Sequence, residues 1–189
     1  MKLSQLPNLI TLSRIALAPA LVLLLYDGSY VLALAVFVIA GLSDGLDGLI
    51  AKRYHYVSRL GAILDPAADK ILLVSAYVML TVLGHLPFWL LIVVAFRDLL
   101  IVGGYLVYTS MYGSVQMRPS RVSKLNTFLQ LALVVAVLVE QAAGYAYPGT
   151  IQVLVYAVLV TTVASGAHYL WIWGVMKEVE PVRRSRTHG

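Results

Sequence analysis

Four aspartates stand close together between residues 43 and 70, in a chain that has few charged residues. Asp44 and Asp47 are three residues apart, and Asp65 and Asp69 are four apart, so each pair shares a face if its segment is helical. Carboxylate oxygens are ligands that Mg²⁺, Mn²⁺ and Ca²⁺ prefer. Four of them could hold two ions and leave one oxygen free as a general base. The spacing therefore predicts a metal site that can also accept a proton.

The composition excludes a soluble domain as the setting for this site. Hydrophobic residues make up 60% of the 189 residues, charged residues only 12%, and the mean hydropathy is +0.85. A soluble domain has about 25% charged residues. The absence of cysteine excludes disulfides, zinc–sulfur sites and iron–sulfur clusters. We predict an all-α integral membrane protein, with one transmembrane domain over residues 1–178 and a basic cytoplasmic tail over 179–189.

Turn residues divide the domain into six predicted transmembrane helices, at about Pro7–Tyr26, Tyr30–Lys52, Arg59–Gly84, Pro87–Tyr112, Ser120–Gln141 and Pro148–Met176. The breaks near residues 27–29, 84–87 and 142–149 contain no Lys or Arg, whereas the other connections and both ends are basic. The positive-inside rule then puts both termini in the cytoplasm. We interpret the net charge of +5 as a topology signal, not as nucleic-acid binding, and expect a bacterial inner-membrane protein whose site faces the cytoplasm.

The four aspartates should meet at one depth, because Asp47 precedes and Asp65 follows the same cytoplasmic turn by similar distances. Each carboxylate costs roughly 2.5–3.5 kcal/mol at the centre of a membrane helix. Bound divalent cations can offset that cost. The alternative, interfacial aspartates at a helix turn, is disfavoured because the spacing is repeated on both helices. Four glycines near the aspartates would let a ligand approach the backbone: Gly41, Gly45, Gly48 and Gly61. Three cations nearby serve either as topology signals or in phosphate binding: Lys52, Arg53 and Arg59.

These residues form a pattern with fixed gaps: Asp44-x-x-Asp47-Gly48-x-x-Ala51-Lys52, eight residues, then Gly61-x-x-x-Asp65-x-x-x-Asp69. The pattern resembles the signature of the CDP-alcohol phosphotransferases, D-x-x-D-G-x-x-A-R-x8-G-x3-D-x3-D. One fixed position differs, because Lys52 stands where the family has arginine. Lysine keeps the charge but lacks the bidentate fork, which affects how the nucleotide phosphates are held.

The resemblance implies an enzyme that moves a phosphatidyl group from CDP-diacylglycerol to an alcohol and releases CMP. It also implies a homodimer and two metal ions, Mg²⁺ or Mn²⁺. Asp44, Asp47 and Asp65 would be metal ligands, and Asp69 a further ligand or the general base. The CDP site would be bordered by Gly48, Ala51 and Gly61, with Lys52 on its phosphates.

The first predicted helix opens with Pro7-Asn8-x-x-Thr11-x-x-Arg14. This resembles the start of the branch that holds phosphatidylglycerophosphate synthases and CMP-forming cardiolipin synthases. Asn8 and Thr11 recur near helical spacing and could line the nucleotide site. An interfacial helix start is the equal alternative.

Two later segments suggest an acceptor site. Arg97 and Asp98 lie within the fourth span, where a charged pair indicates a functional site unless it is simply buried against other charges, such as Asp98 against Lys70. On the fifth helix, polar residues share one face, and we favour a cavity wall over helix–helix contact: Ser123, Asn126, Thr127 and Gln130. We predict that the acceptor or its phosphate is bound by Arg97, Arg121, Lys124 and Asn126.

The acceptor itself is predicted from details of these segments. No second arginine follows Arg97, whereas phosphatidylglycerophosphate synthases typically have one for a phosphate monoester. The run Pro119-x-x-Val122-Ser123-Lys124-x-Asn126-Thr127-x-x-Gln130 resembles eukaryotic-type cardiolipin synthases. We therefore favour phosphatidylglycerol as acceptor, with glycerol 3-phosphate as the alternative. A divalent-cation transporter is the alternative of another class, although the acids cluster toward one side and no repeat is visible.

Overall fold

The computed structural model describes residues 6–54, 61–112, 120–145 and 149–175. Within them, side chains are described for 16–43, 70–104, 107, 110, 120–145 and 149–171. The described residues form helices joined by turns, with no strand among them: α1 Leu6–Tyr26, α2 Tyr30–Tyr54, α3 Gly61–Val82, α4 Phe88–Tyr112, α5 Arg121–Ala143 and α6 Thr150–Val175. For these residues the all-α prediction and the predicted helices are confirmed, and the helix ends differ from the predicted ones by at most two residues.

Two of the predicted breaks contain the same type of helix C-cap, in which a glycine in the left-handed conformation follows the helix. At the end of α1, the amide of Ser29 donates to the carbonyl of Leu24 at 2.8 Å, and Gly28 has a φ of 70°. At the end of α3, the amide of His85 donates to Leu80 at 2.8 Å, and Gly84 has a φ of 79°. These bonds satisfy the last carbonyls of each helix and reverse the chain tightly. Glycine is required because other residues strain at positive φ.

The first of two compact units comprises Met1–Phe88 and Leu131–Ile151. In it α1 packs against both α2 and α3. The buried side chains recur every three or four residues, which puts them on one face of each helix: Ala18, Leu21 and Leu25 on α1, Ala33, Phe37 and Ala40 on α2, and Leu73, Ala76, Tyr77 and Leu80 on α3. The alanines let the backbones approach closely, as small residues do in membrane helix pairs.

The second unit comprises Trp89–Gln130 and Gln152–Gly189, and so contains most of α4, the first part of α5 and most of α6. Its buried apolar side chains include Leu90 and Val94 on α4 and Val155 and Val158 on α6. Among the described side chains, its buried polar ones are Arg97, Asn126, Gln130, Thr162 and Ser165. Buried polar groups need hydrogen-bond partners, and Arg97 and Asn126 find theirs on neighbouring helices.

Within the part of the chain that the structure describes, two helices are long and apolar enough to cross a membrane, Arg121–Ala143 and Thr150–Trp171. Shorter apolar stretches lie in α1, α2 and α3. Large apolar side chains also cover the exposed faces, among them Leu42, Phe96, Leu99 and Val160. A helix that is apolar on its exposed face as well as its buried one suits lipid surroundings. The count of six spans and the cytoplasmic position of the termini stay predictions.

Candidate functional site

The aspartate signature lies on two helices that pack against the same neighbour. Asp44 and Asp47 fall in α2, Asp65 and Asp69 fall in α3, and α1 contacts both helices. The helical backbone confirms that each pair is spaced to share a face. The aspartate side chains lie outside the described side chains, so their meeting at one depth stays a prediction.

The predicted CDP-site residues also belong to these helices. Asn8 and Thr11 are in α1, Gly48, Ala51 and Lys52 are in the last turns of α2, and Gly61 is the first residue of α3. Because α1 packs on α2 and α3, the backbone keeps the three segments in one unit. The side-chain surroundings of these positions lie outside the described part, and their roles stay predictions.

Arg97 is the tenth residue of α4 and only 5% exposed. Its Nη1 donates to Oδ1 of Asp98 at 2.7 Å, and its Nη2 donates to the hydroxyl of Ser123 at 2.5 Å. Nε and Nη2 both donate to the hydroxyl of Ser165 on α6, at 3.3 and 2.8 Å. All three guanidinium nitrogens therefore bind protein oxygens from α4, α5 and α6. Asp98 is the adjacent counter-ion, with a side chain 16% exposed.

Asn126 makes a second connection between α5 and α6, one turn after Ser123. Its Oδ1 lies 2.8 Å from the Thr162 hydroxyl and 2.9 Å from the Thr161 hydroxyl, both of which can donate to it. Asn126 is completely buried, and its amide nitrogen has no hydrogen-bond partner within the described part of the chain. On the predicted polar face, Ser123 and Asn126 thus make helix–helix contacts, and Thr127 donates to the carbonyl of Ser123 at 3.2 Å.

Arg121 and Lys124 lie in the first turn of α5 and are exposed, in contrast to the buried Arg97. The turn is closed by Ser120, whose hydroxyl accepts the Ser123 amide at 3.1 Å as a helix N-cap. The two cations are three residues apart, so they lie on adjoining positions of the helix surface. Of the predicted acceptor-site residues, these two have side chains that a ligand can reach directly.

Sequence reasoning missed the residues that α6 contributes. Thr161, Thr162 and Ser165 supply the hydroxyls that bind Asn126 and Arg97. Their signal is visible in the sequence, because Thr162 and Ser165 are three apart in a helix of 26 otherwise mainly apolar residues. Polar side chains at such spacing in a membrane helix commonly hydrogen-bond to a neighbouring helix.

A second polar contact lies in the first unit, at the helix ends opposite the signature. Tyr30 begins α2, and its hydroxyl is 2.9 Å from Nε2 of His85 in the turn between α3 and α4. The two rings pack edge to face, with centroids 5.6 Å apart. Partial burial lowers the pKa of the His85 imidazole below its ordinary value, and the carboxylate of Glu140 partly opposes this shift.

This lowered pKa predicts that the protein loses stability as the pH falls. The unfolded chain binds a proton at His85 at higher pH than the folded chain, so folding weakens from about pH 6.5 downward. The thermal midpoint in detergent should decrease between pH 7.5 and 5.0, and His85→Gln should decrease less. His168→Gln, which removes an exposed histidine of α6, is the matched control. Equal decreases in wild type and His85→Gln would contradict the prediction.

Comparison with known proteins agrees with the signature. The sequence profile described as CDP-alcohol phosphatidyltransferase matches residues 4–170. The chain is 36% identical to a human protein and 35% identical to a rat protein, both described as cardiolipin synthase (CMP-forming), over 86% of this chain and 60% and 59% of theirs. It is 30% identical to a Rickettsia typhi CDP-diacylglycerol–glycerol-3-phosphate 3-phosphatidyltransferase, over 88% of this chain and 96% of that protein.

The match to the family covers every helix bearing the aspartate signature and the Arg97 contacts, and ends within α6. The chain spans about three fifths of the length of the two cardiolipin synthases that it matches. The most similar relatives named here are therefore longer proteins, whereas the bacterial relative is similar in length. A profile match over 167 of 189 residues, taken with the complete spacing of the aspartates, shows that this chain belongs to the CDP-alcohol phosphatidyltransferase family.

Proposed function

We propose that this protein transfers the phosphatidyl group of CDP-diacylglycerol to phosphatidylglycerol, forming cardiolipin and releasing CMP. Family membership supports phosphatidyl transfer and disfavours the divalent-cation transporter. The choice of acceptor rests on the hydrogen bonds of Arg97, because all three of its guanidinium nitrogens bind protein oxygens.

Because Arg97 is occupied by these hydrogen bonds, the charge of the acceptor must be matched by other cations. Glycerol 3-phosphate carries a phosphate monoester with about two negative charges, as phosphomonoesters do near pH 7, whereas a lipid phosphodiester carries one. With Arg97 neutralised by Asp98, the exposed cations of the second unit's α5 are Arg121 and Lys124. Because Arg97 is paired with Asp98, the acceptor meets less positive charge than it would if Arg97 bound it, and this favours the singly charged phosphodiester. The 35–36% identity to two cardiolipin synthases, against 30% to the glycerol-3-phosphate enzyme, supports the same choice.

Arg121 and Lys124, the exposed cations of α5, would hold the acceptor phosphate. Asn126 is completely buried and its Oδ1 faces the hydroxyls of Thr161 and Thr162, so acceptor binding by Asn126 would require the headgroup to reach between α5 and α6. Its amide nitrogen has no partner among the described residues and is the donor available for that contact.

The donor set on α2 and α3 fits hard divalent cations, because it consists of four carboxylates at helical spacing. Asp44, Asp47, Asp65 and Asp69 would hold two ions, Mg²⁺ or Mn²⁺. Such ions neutralise a pyrophosphate and stabilise CMP as it leaves.

The remaining chemistry falls to side chains of this chain. Lys52 would bind the nucleotide phosphates, with Gly48, Ala51, Gly61, Asn8 and Thr11 around CDP. Asp69 would accept the proton of the acceptor hydroxyl while the hydroxyl oxygen bonds to the phosphatidyl phosphorus. The bond from that phosphorus to the CMP oxygen then breaks, and the proton stays on Asp69.

The setting proposed for this reaction is a homodimer in the bacterial inner membrane, with six spans and a cytoplasmic site. The positions of Lys and Arg support this orientation, since they avoid the breaks at residues 27–29, 84–87 and 142–149. The apolar exposed faces of the helices support membrane embedding.

An acceptor panel tests the proposed function. Purified protein in mixed micelles receives CDP-diacylglycerol with phosphatidylglycerol or with glycerol 3-phosphate, and CMP release is measured. We expect release with phosphatidylglycerol to be at least about tenfold faster, which corresponds to about 1.4 kcal/mol of transition-state stabilisation. A preference for glycerol 3-phosphate would overturn the acceptor, and no CMP release with any alcohol would overturn the reaction.

A further inference from the structure

We propose that Arg97 is a positioning residue, which holds the first turn of α5 in place so that Arg121 and Lys124 can bind the acceptor. The inference rests on the proposed function for its substrate. The sequence alone predicts that Arg97 contacts the acceptor phosphate. The proposal instead assigns Arg97 a structural role, in which it holds other residues in place.

The first step in the argument is the direction of the guanidinium donors. Nη1 binds Asp98 on the same helix, Nη2 binds Ser123 on α5, and Nε and Nη2 bind Ser165 on α6. Arginine commonly binds a phosphate through two parallel N–H groups of its fork. Here the Nε and Nη2 pair already faces the hydroxyl of Ser165, and the side chain of Arg97 is 6% exposed.

The second step is where this cluster acts. Ser123 bonds to Arg97 through its hydroxyl, and its amide bonds to the N-cap hydroxyl of Ser120. Arg97 is thereby linked to the turn that carries Arg121 and Lys124. A single substitution that loosens this link should move those two cations without touching either of them.

The third step is that α5 has a second, independent attachment. Asn126 binds Thr161 and Thr162 on α6, one turn deeper into the helix. This attachment remains when the Arg97 cluster is weakened, so the helix should stay packed while its first turn moves. The effect should therefore appear in the Michaelis constant for the acceptor before it appears in folding.

The experiment compares Ser165→Ala and Arg97→Lys with Ser110→Ala. Ser165→Ala removes the hydroxyl that accepts from Nε and Nη2, Arg97→Lys keeps the charge without the fork, and Ser110 is an exposed serine of α4. Loss of a hydrogen bond to a charged group is worth about tenfold in an equilibrium constant. We expect both cluster variants to raise the KM for phosphatidylglycerol by about that factor, and the KM for CDP-diacylglycerol to stay within about twofold.

A distance measurement separates positioning from binding. The chain has no cysteine, so spin labels can be attached to cysteines introduced at Val122, in the first turn of α5, and at the exposed Val163 of α6. In lipid nanodiscs without substrate, Ser165→Ala and Arg97→Lys should broaden the distance distribution between α5 and α6, and Ser110→Ala should leave it unchanged. An acceptor KM that rises in Arg97→Lys with no change in distance, or a Ser165→Ala variant normal in both, would overturn the proposal.

The two measurements test the proposed function and the positioning role of Arg97 separately. The distance distribution requires no turnover, so a protein that releases no CMP would contradict the proposed function while still testing the link from Arg97 to α5. Direct phosphate binding makes the opposite prediction for Ser165→Ala, because freeing two donors of Arg97 would leave the acceptor KM unchanged or lower it.

Discussion

Asp69→Asn should reduce CMP release by about 10²–10⁴-fold, the usual contribution of a positioned general base. Asparagine has nearly the same shape as aspartate but does not accept the proton of the attacking hydroxyl. CDP-diacylglycerol should still bind, since three carboxylates of the signature remain. Steady-state CMP release and equilibrium binding of CDP-diacylglycerol, measured on the same preparation, check the two parts separately.

Asp27→Asn is the matched control, because Asp27 is an exposed aspartate in the turn between α1 and α2. It should keep the wild-type rate. A near-normal rate in Asp69→Asn would remove Asp69 as the base. Loss of nucleotide binding together with the rate would assign Asp69 to metal binding alone, the other role that the signature allows.

Removal of divalent metal should abolish turnover. The signature places four carboxylates on two helices of one unit. Without cations, their mutual repulsion and the negative charge of the leaving CMP would both be uncompensated. CMP release in excess chelator should fall to background and return when Mg²⁺ or Mn²⁺ is added. Full activity in the chelator would contradict the metal site.

Metal binding should also be visible without turnover. A ligand at 100 times its dissociation constant stabilises the folded state by about 2.7 kcal/mol, so Mg²⁺ should raise the thermal midpoint. Asp44→Asn should lose most of this rise, and Asp27→Asn should retain it. An equal rise in both variants would show that the ions bind elsewhere.

Most of the helical architecture was predictable because its signals are local. Apolar runs of membrane length and turn residues placed the helix ends to within about two residues, and Tyr30 and Tyr112 were predicted as observed ends. The small errors fall at turns. The sixth helix was predicted from Pro148 and begins at Thr150, because Gly149 has a φ of 81° and lies outside the helix.

The hydrogen bonds of Arg97 and Asn126 were predictable only in part. The sequence marked Arg97, Ser123 and Asn126 as unusual for a membrane helix, but it did not reveal their partners. Ser165 and Thr162 follow Arg97 by more than sixty residues, and no local pattern connects them. The expected cavity wall on α5 is, at Ser123 and Asn126, a set of bonds to neighbouring helices.

The sequence by itself determined the all-helical class, the helices and the family, because apolar run length, turn residues and fixed aspartate spacing are properties of the chain order. Only the tertiary structure decided what Arg97 bonds to. A buried guanidinium takes whichever oxygens the packing of α4, α5 and α6 brings within reach, and that packing depends on contacts between residues far apart in the chain. The aspartates could be recognised from their spacing, whereas the role of the arginine depended on its neighbours in space.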